Sequence, residues 1–338
     1  MRAVRVHTFG DPEVLRLDEV ADLRPPGAGE VLVRLQAAGV NPVDTYMRSG
    51  QYAALPPLPY TPGSDGAGVV AAVGPVPAGG ATRGAATAGG EVQAPTPAVG
   101  DRVYVSGSLT GTYAEAALCT LYQVHPLPAP VTFAAGAALG VPYATAYRAL
   151  FQRGQARAGE LVLVHGASGG VGLATVQFAA AAGLTVHGTA GSAAGRDLVS
   201  LQGAAEVVDH HASGYAEELL ALTGGRGYGV IVEMAAHAGL ADDLGLLARG
   251  GRVIVVGSRG PVEISPRDLM SRDADVRGML LFIAAPEELA EAHTAIGVGL
   301  GTGALHPVIA HELPLAEAPS AHREIMAGPA LGKLVLVP

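Results

Sequence analysis

The stretch LVLVHGASGGVGLATVQFAAAAGLTVHGTAGS, residues Leu161–Ser192, decides the fold of this chain. Its first four residues, Leu161–Val164, are all apolar and predict a buried strand, and Val171–Ala182 predict a helix. The intervening sequence ASGGVG (residues 167–172) departs from the dinucleotide-binding pattern G-x-G-x-x-G only at Ala167, which replaces the first glycine. A strand, a glycine-rich turn and a helix in direct succession predict the first unit of a nucleotide-binding sheet.

The glycine-rich turn contains the residue types that allow a phosphate group to approach the backbone. Gly169 and Gly170 carry no side chains, so the N–H groups at the start of the helix can bind a pyrophosphate. Gly172 allows the helix to pack closely on the strand, and Ala167 requires a turn without a positive φ at that position. The Gly-Lys-Ser/Thr sequence of a triphosphate-hydrolysing loop is absent. A purely structural glycine turn is the alternative interpretation.

The end of the second strand indicates which dinucleotide binds. An NAD site places a carboxylate there for the ribose 2′-hydroxyl, but no Asp or Glu occurs from His187 to Arg196. Ser192 and Arg196 follow this strand, and His210 ends the next one. A guanidinium without a carboxylate in this region favours the 2′-phosphate of NADP(H), unless Arg196 and His210 are solvated surface residues.

From Thr132 onward, short Val/Ile/Leu-rich runs alternate with helical segments, which predicts an α/β fold with a parallel sheet covered on both faces. We therefore expect a Rossmann-type doubly wound domain over residues 132–304. Short strands and turns dominate residues 1–131, and the tail 305–338 is expected to return to them, which makes this mainly-β domain discontinuous in sequence. The Ala/Gly/Pro-rich segment 75–98 is predicted to be a flexible insertion.

Composition excludes several classes of protein. The chain has 338 residues and a formal net charge of −9, which argues against nucleic acid as a partner. No apolar run reaches the roughly 18 residues of a membrane span, and the strand-like N-terminus lacks the apolar core of a signal peptide. Cys119 is the single cysteine, so a disulfide framework and a multi-cysteine metal site are excluded. We expect a cytoplasmic protein.

Several motifs, in order along the whole chain, resemble one family. They are GVNPVDTYMRSGQY, PYTPGSDGAGVV, GVPYATAYRAL, VLVHGASGGVGLA, GGRVIVVGSRG and ISPRD. Together they resemble the zinc-independent medium-chain dehydrogenases/reductases, and among these the NADPH:quinone oxidoreductases of the zeta-crystallin type. The resemblance implies a GroES-like catalytic domain beside the Rossmann domain, and a homodimer or homotetramer for which the sequence VRGMLLF is a plausible edge strand.

The same resemblance predicts that the chain holds no metal. Zinc-dependent relatives bind catalytic zinc through a Cys and a His-Glu pair, and the matching positions here are Asn41, Ser64 and Asp65. An amide and a hydroxyl are poor zinc ligands, so zinc-assisted alcohol oxidation is disfavoured.

Hydride transfer to an electron-poor acceptor requires mainly orientation and a polarised carbonyl oxygen. The amide of Asn41 and the hydroxyl of Tyr46 are candidates for that polarisation, and Tyr52 is expected to line the acceptor pocket. The structural alternative is that Asn41 is a turn residue before Pro42 and that Tyr46 is a partly buried aromatic. Asp44 is interpreted as a helix cap rather than a catalytic acid.

The resemblance also implies a set of cofactor-binding residues along the ends of the strands. These are Tyr46, Thr145, Ser168, Gly169, Gly170, Val171, Gly191, Arg196, His210, Gly239, Val256, Gly257, Ser258, Arg259, Met279, Leu280, Leu281 and Lys333. Gly239 is interpreted as a loop glycine after the fourth strand, and its role rests on the resemblance alone. Simple helix packing is the alternative for Thr145. For Lys333, the only lysine of the chain, the alternative is a solvated position at a strand edge.

These observations favour an NADPH-dependent quinone reductase that works without a metal. An NADPH-dependent reductase of enone or alkenal double bonds would need the same cofactor chemistry and a different acceptor pocket. A module that binds NADPH with little turnover is the hypothesis from a different class. The sequence leaves open the physiological acceptor and whether the electrons leave NADPH singly or as a hydride.

Overall fold

A computed structural model describes residues 1–75, 86–87, 90–91, 96–328 and 331–338. Most of the segment 75–98, which we predicted to be a flexible insertion, therefore lies outside the described residues. The chain divides into two compact units. The first comprises Met1–Val141, Leu289–Gly328 and Gly332–Pro338, and the second consists mainly of Pro142–Glu288.

The second unit is built on a six-stranded sheet in which every neighbouring pair is parallel. Its strands are β10 (Leu161–Val164), β11 (Thr185–Thr189), β12 (Glu206–Val208), β13 (Tyr228–Glu233), β14 (Leu247–Val255) and β15 (Asp275–Gly278). They lie in the order β12-β11-β10-β13-β14-β15. The chain enters the sheet at β10, adds β11 and β12 on one side, and then adds β13, β14 and β15 on the other side. This is the doubly wound topology that the alternation of apolar runs and helices predicts.

Helices connect these strands. They are α4 (Gly170–Ala181), α5 (Ala193–Leu201), α6 (Tyr215–Leu222), α7 (Ala236–Leu246) and α8 (Pro266–Met270), and α3 (Gly140–Tyr147) with a π-helical turn at Arg148–Arg153 precedes the sheet. The helix predicted at Val171–Ala182 thus begins and ends one residue earlier. Within the described ranges, no helix is both long and apolar enough to cross a membrane.

The predicted edge strand VRGMLLF is shorter than expected. Strand β15 ends at Gly278, and Leu281–Ile283 form a 3-10 turn. The N–H of Met279, just after the strand, donates to the carbonyl of Val255 at 3.0 Å, a usual length for this bond type. Among the described strands β15 is the outermost of this sheet, and Phe282 and Ile283 beyond it are 47% and 74% exposed.

The first unit is mainly β. A seven-stranded sheet contains the order β16-β17-β3-β4-β7-β9, and β8 pairs with β3. The bounds of its strands are β3 (Glu30–Gly39), β4 (Asp65–Val73), β7 (Arg102–Ser106), β8 (Ala116–Thr120), β9 (Val124–Pro126), β16 (Ile309–Pro314) and β17 (Lys333–Val337). Two ribbons accompany it, β1 (Arg2–Val6) with β2 (Leu15–Glu19) and β5 (Ala86–Thr87) with β6 (Gly90–Glu91). Strand β17 pairs with β3, so the C-terminal tail does return to the N-terminal strands.

Few helices belong to the first unit. They are α1 (Pro42–Ser49), α2 (Phe133–Gly136), the start of α3, most of α9 (Pro286–Thr302) and α10 (Ala318–Ala327). Helix α1 begins at Asn41, whose backbone N–H donates to Oδ2 of Asp44 at 2.9 Å. Pro42 at the first helical position has a fixed φ that suits a helix start. The interpretation of Asp44 as a helix cap is confirmed.

Each unit has its own apolar interior. In the second unit Leu163, Ile231 and Leu244 are fully buried between the sheet and its helices. In the first unit Val31 and Val105 are among the fully buried members of a cluster formed by its strands. At about 25 cal/mol per Å² of apolar surface removed from water, these interiors supply most of the favourable free energy of folding.

Candidate active site

The glycine-rich turn follows β10 directly and ends in the first turn of α4. Gly166 has a φ of +60°, and Ala167 is not among the residues with positive φ, so Gly166 adopts the left-handed conformation and alanine is tolerated next to it. A Cβ on Gly172 would lie 2.5 Å from the carbonyl oxygen of Gly166. The close packing predicted at Gly172 is therefore present, and the backbone amides of residues 169–171 are part-exposed at the helix start.

Most of the expected cofactor residues of the second unit follow strand ends. Ser168 to Val171 follow β10, Gly191 follows β11, His210 follows β12, and Val256 and Gly257 follow β14. Because all six strands are parallel, these ends share one edge of the sheet, where open α/β sheets bind ligands. Ser168 itself is buried, with 7% of its surface exposed.

Gly239 lies elsewhere than we expected. The sequence suggested a loop glycine after the fourth strand, whereas Gly239 lies within α7. A Cβ there would be 2.5 Å from Oε2 of Glu233, so the missing side chain makes room for that carboxylate. The structure supplies a packing reason for this glycine.

The remaining candidates differ in exposure. Ser258 and Arg259 are exposed, Met279 and Leu281 are each 8% exposed, and Leu280 is 44% exposed. Thr145 on α3 is buried, with 5% of its surface exposed.

Arg196, which we expected to bind the 2′-phosphate, has a carboxylate partner that we did not predict from the sequence. Nη1 of Arg196 lies 2.8 Å from Oδ2 of Asp209, and the two side chains are 31% and 32% exposed. Asp209 follows β12 and immediately precedes His210. The backbone N–H of His211 and then Arg196 hold the pKa of Asp209 below its usual range. Burial, followed by the neighbouring His211, lowers the pKa of His210.

The first unit contains a buried polar cluster around Lys333. Nζ of Lys333 donates to Oδ1 of Asn41 and lies 3.1 Å from Oδ2 of Asp65. Nδ2 of Asn41 donates to the same Asp65 oxygen at 2.8 Å, and Oδ1 of Asp65 accepts the N–H of Val141 at 2.7 Å. Lys333 is 4% exposed and β17 lies between β16 and β3, so the alternative of a solvated lysine at a strand edge is wrong.

The family resemblance makes Asn41, Ser64 and Asp65 the positions of catalytic zinc ligands, and their donor set does not fit a zinc ion. Asn41 offers an amide in place of a thiolate, and Ser64 offers a hydroxyl in place of an imidazole. The ammonium of Lys333 already occupies the acceptor oxygens of Asn41 and Asp65. A dication beside that ammonium would be repelled.

The other acceptor-site candidates lie on or near α1. Asn41 is 2% exposed at the helix start, and Tyr46 and Tyr52 are part-exposed. Asp44 is buried and its Oδ2 also accepts the hydroxyl of Tyr113 at 3.2 Å. Burial raises the pKa of Asp44 to about 7, against the backbone hydrogen bond from Asn41, which lowers it.

A second buried cluster lies beneath the glycine-rich turn and was not predicted. Nε2 of His165 lies 2.9 Å from Oδ1 of Asp243, at an ion-pair distance, and Glu233 completes the group. Burial raises the pKa of Glu233 to about 7, whereas for His165 burial lowers the pKa and the nearby Asp243 raises it above its usual value on balance. The donor atoms lie within 4.8 Å of one another, as a metal would require. The ion pair between His165 and Asp243 already provides the charge balance that a metal ion would provide, so we assign no metal to this cluster.

Comparisons with known proteins agree with this division into two units. The family model described as "Alcohol dehydrogenase GroES-like domain" matches residues 27–129, and "Zinc-binding dehydrogenase" matches residues 170–296. A GroES-like unit joined to a doubly wound parallel sheet defines the dehydrogenase/reductase class of the medium-chain type.

Whole-length relatives narrow the class further. The chain is 46% identical over 338 residues to "Quinone oxidoreductase" of Homo sapiens, covering 100% of this chain and 98% of the relative, and equally identical to that of Rattus norvegicus. It therefore belongs to the quinone oxidoreductases of the medium-chain dehydrogenase/reductase family. The fold and family expectations from the sequence are confirmed.

Solved structures show the same fold. An Escherichia coli quinone oxidoreductase complexed with NADPH superposes with a TM-score of 0.84 at 29% identity, covering 100% of both chains. A Pseudomonas syringae quinone oxidoreductase gives 0.86 at 30% identity, covering 100% of this chain and 99% of the other.

Proposed function

We propose that this chain is an NADPH-dependent quinone oxidoreductase that transfers reducing equivalents to a quinone without a metal ion. The observation that carries this proposal is the 46% identity to curated quinone oxidoreductases along the entire chain. The geometry of both units is consistent with it. Each unit contributes a different part of the chemistry.

The second unit would bind NADPH along the carboxyl edge of its sheet. The backbone N–H groups of Gly170 and Val171 at the start of α4 are suited to the pyrophosphate. The N–H of Gly169 donates to the carbonyl of Gly166 at 3.2 Å, so its proposed role is to let the phosphate approach the backbone. Arg196, with His210 beside it, is suited to the 2′-phosphate. The remaining second-unit candidates, including Ser258, Arg259 and Met279, keep their proposed cofactor role on the strength of the family resemblance.

The first unit would orient the acceptor. The ammonium of Lys333 binds Oδ1 of Asn41, and Asp65 binds one hydrogen of its Nδ2, so the amide cannot rotate freely. The other hydrogen of Nδ2 is suited to a quinone carbonyl oxygen. We propose that Asn41 and Tyr46 polarise this oxygen, that Tyr52 lines the pocket, and that Lys333 acts through Asn41.

Bound NADPH would supply the reducing equivalents, and a quinone can accept them without Lewis-acid help when a hydrogen bond stabilises the negative charge that develops on its oxygen. The protein's contribution is therefore orientation and hydrogen-bond donation. An amide at Asn41 in place of a zinc-ligand thiolate, with the ammonium of Lys333 bound to its oxygen, supports a zinc-independent reaction.

The test is NADPH consumption with 1,4-benzoquinone, 9,10-phenanthrenequinone and an alkenal in parallel, before and after dialysis against EDTA. We expect turnover with the quinones that exceeds turnover with the alkenal and is unchanged by EDTA. Preference for the alkenal would replace this proposal with a double-bond reductase. Tight NADPH binding without turnover on any acceptor would favour a binding module.

We further propose that residues 1–131 with 305–338 form the catalytic domain, that 132–304 form the NADPH domain, and that the protein is a cytoplasmic homodimer or homotetramer. The exposed apolar side chains at the edge of the six-stranded sheet support assembly there. They are Val276, Leu280, Phe282 and Ile283. Light scattering of the wild type and of an Ile283→Asp variant tests this edge as the contact.

A further inference from the structure

The carboxylate of Asp209 is held in place against Arg196 by the local backbone. Its Oδ2 lies 2.8 Å from Nη1 of Arg196, and its Oδ1 accepts the N–H of His211 at 2.9 Å. The bond to its own chain two residues ahead fixes the side chain in a turn, so its position does not depend on Arg196. In this pair, the carboxylate of Asp209 has a fixed position, whereas the guanidinium of Arg196 is carried by a long, flexible side chain.

The side chains around Arg196 form an anion-binding site in which the carboxylate of Asp209 is already the bound anion. Ideal Cβ positions on Gly191 would lie 2.5 Å from Nε2 of His211 and 2.8 Å from Nε2 of His210, so both rings border the end of β11. Nδ1 of His210 is 3.3 Å from Oγ1 of Thr189 on the same strand. Among the described side chains here, Arg196 carries the permanent positive charge, and Asp209 neutralises it.

We propose that Asp209 sets how strongly this protein distinguishes cofactors with a 2′-phosphate from those without one. This inference rests on the proposed function, because it assumes that Arg196 receives the 2′-phosphate. To bind the phosphate, Arg196 must give up or share its bond to Asp209. The phosphate must also lie close to the negative charge of that carboxylate, which repels it. Both effects weaken the binding of NADPH relative to that of NADH, which carries no 2′-phosphate.

The change that isolates this effect is Asp209→Asn. An asparagine keeps Oδ1 as the acceptor for His211, so the turn is retained, while the negative charge is lost. Isothermal titration with 2′,5′-ADP and 5′-AMP as probes separates the phosphate from the rest of the nucleotide. We expect Asp209→Asn to tighten 2′,5′-ADP binding by about 5- to 20-fold and to change 5′-AMP binding by less than about twofold.

Two further variants make the result specific. Asp197→Asn removes the same charge from an exposed position next to Arg196 on α5, and it should leave both probes nearly unchanged. In an Arg196→Gln background, Asp209→Asn should lose most of its gain, because the competition for the guanidinium no longer exists. An equal gain in Asp197→Asn, or an undiminished gain in Arg196→Gln, would overturn the proposal.

The failure of this inference can be told apart from the failure of the proposed function. Binding of 2′,5′-ADP requires no acceptor, so a chain inactive towards quinones can still show the Asp209 effect. Conversely, an active quinone reductase whose 2′,5′-ADP affinity is the same in wild type and Asp209→Asn would retain its function and contradict the inference. Circular dichroism of each variant confirms that the comparison is between folded proteins.

Discussion

Nζ of Lys333 on β17 lies 3.1 Å from Oδ2 of Asp65 on β4, and both side chains are buried, at 4% and 0% exposure. The two strands are not neighbours, since β3 lies between them. The ammonium therefore reaches across β3 to join the two strands through Asn41, which follows β3. Because both charges are buried and paired, each partner depends on the other.

Loss of the Lys333 charge should destabilise the fold. Lys333→Met leaves the buried carboxylate of Asp65 without a counter-charge, and we expect about 3–5 kcal/mol less free energy of unfolding in urea denaturation. The double variant Lys333→Met with Asp65→Asn should recover much of this loss because no unpaired charge remains. Arg249→Gln breaks the exposed pair with Asp273 and serves as the control, with an expected loss below about 1 kcal/mol. Equal effects at both positions would contradict a special role for burial.

Removal of the groups that polarise the acceptor should slow turnover without weakening the binding of NADPH. For Asn41→Ala we expect kcat with a quinone to fall about 10- to 100-fold, with a smaller fall for Tyr46→Phe, because these donors act on charge that develops in the transition state. The dissociation constant of NADPH, measured by fluorescence titration, should stay within about twofold. Tyr122→Phe, at a residue 61% exposed, is the control. Unchanged kcat in both site variants would remove Asn41 and Tyr46 from the active site.

A side chain at Gly172 should disrupt the glycine-rich turn. The Cβ of Gly172→Ala would lie 2.5 Å from the carbonyl oxygen of Gly166, which requires the turn or α4 to shift. We expect about 1–3 kcal/mol lower stability and at least about tenfold weaker NADPH binding. Gly245→Ala on α7 is the matched control, because no atom lies within 4 Å of its Cβ and alanine is the better helix former. That variant should be as stable as the wild type or more so.

The buried Glu233 should make stability depend on pH. Its folded-state pKa, about 7, is above its ordinary value, so its favourable contribution is complete below about pH 4.5 and is lost as the pH rises through 7. Glu233→Gln keeps Oε1 for the N–H of Ala235 and removes the titration. Relative to the wild type, we expect it to gain about 1–3 kcal/mol at pH 8 and little at pH 5. The exposed Glu263→Gln should follow the wild-type profile, and a gain for Glu233→Gln that is the same at both pH values would contradict this assignment.

Local patterns predicted most of the second unit correctly. The apolar runs matched the strands because a parallel sheet with helices on both faces excludes water from nearly every strand residue. The two exceptions lie at the edge strand β15 and near the start of helix α7. VRGMLLF is apolar like the central strands, but an edge strand pairs on one side only, and its last residues form a 3-10 turn. Gly239 looked like a loop glycine because the pattern cannot show that Glu233 requires the space.

Long-range partners were the part of the site that sequence reasoning missed. Asp209 directly follows β12, whereas the expected NAD carboxylate would follow β11, and the parallel pairing of β11 with β12 brings the ends of the two strands together. The carboxylate-free interval from His187 to Arg196 is real, yet a carboxylate from the neighbouring strand contacts Arg196. A search that included the ends of adjacent parallel strands would have found it.

By itself, the sequence determined the class of the molecule and its probable chemistry, because strand periodicity, the ASGGVG turn and the absence of zinc-binding side chains at residues 41 and 64 are local properties. The tertiary structure decided which charges face one another. Asn41 and Lys333 are 292 residues apart in the chain, and only the pairing of β17 with β3 places them in contact. Electrostatic interactions act through space, so the roles of Lys333 and Asp209 became visible only when the strands were assembled.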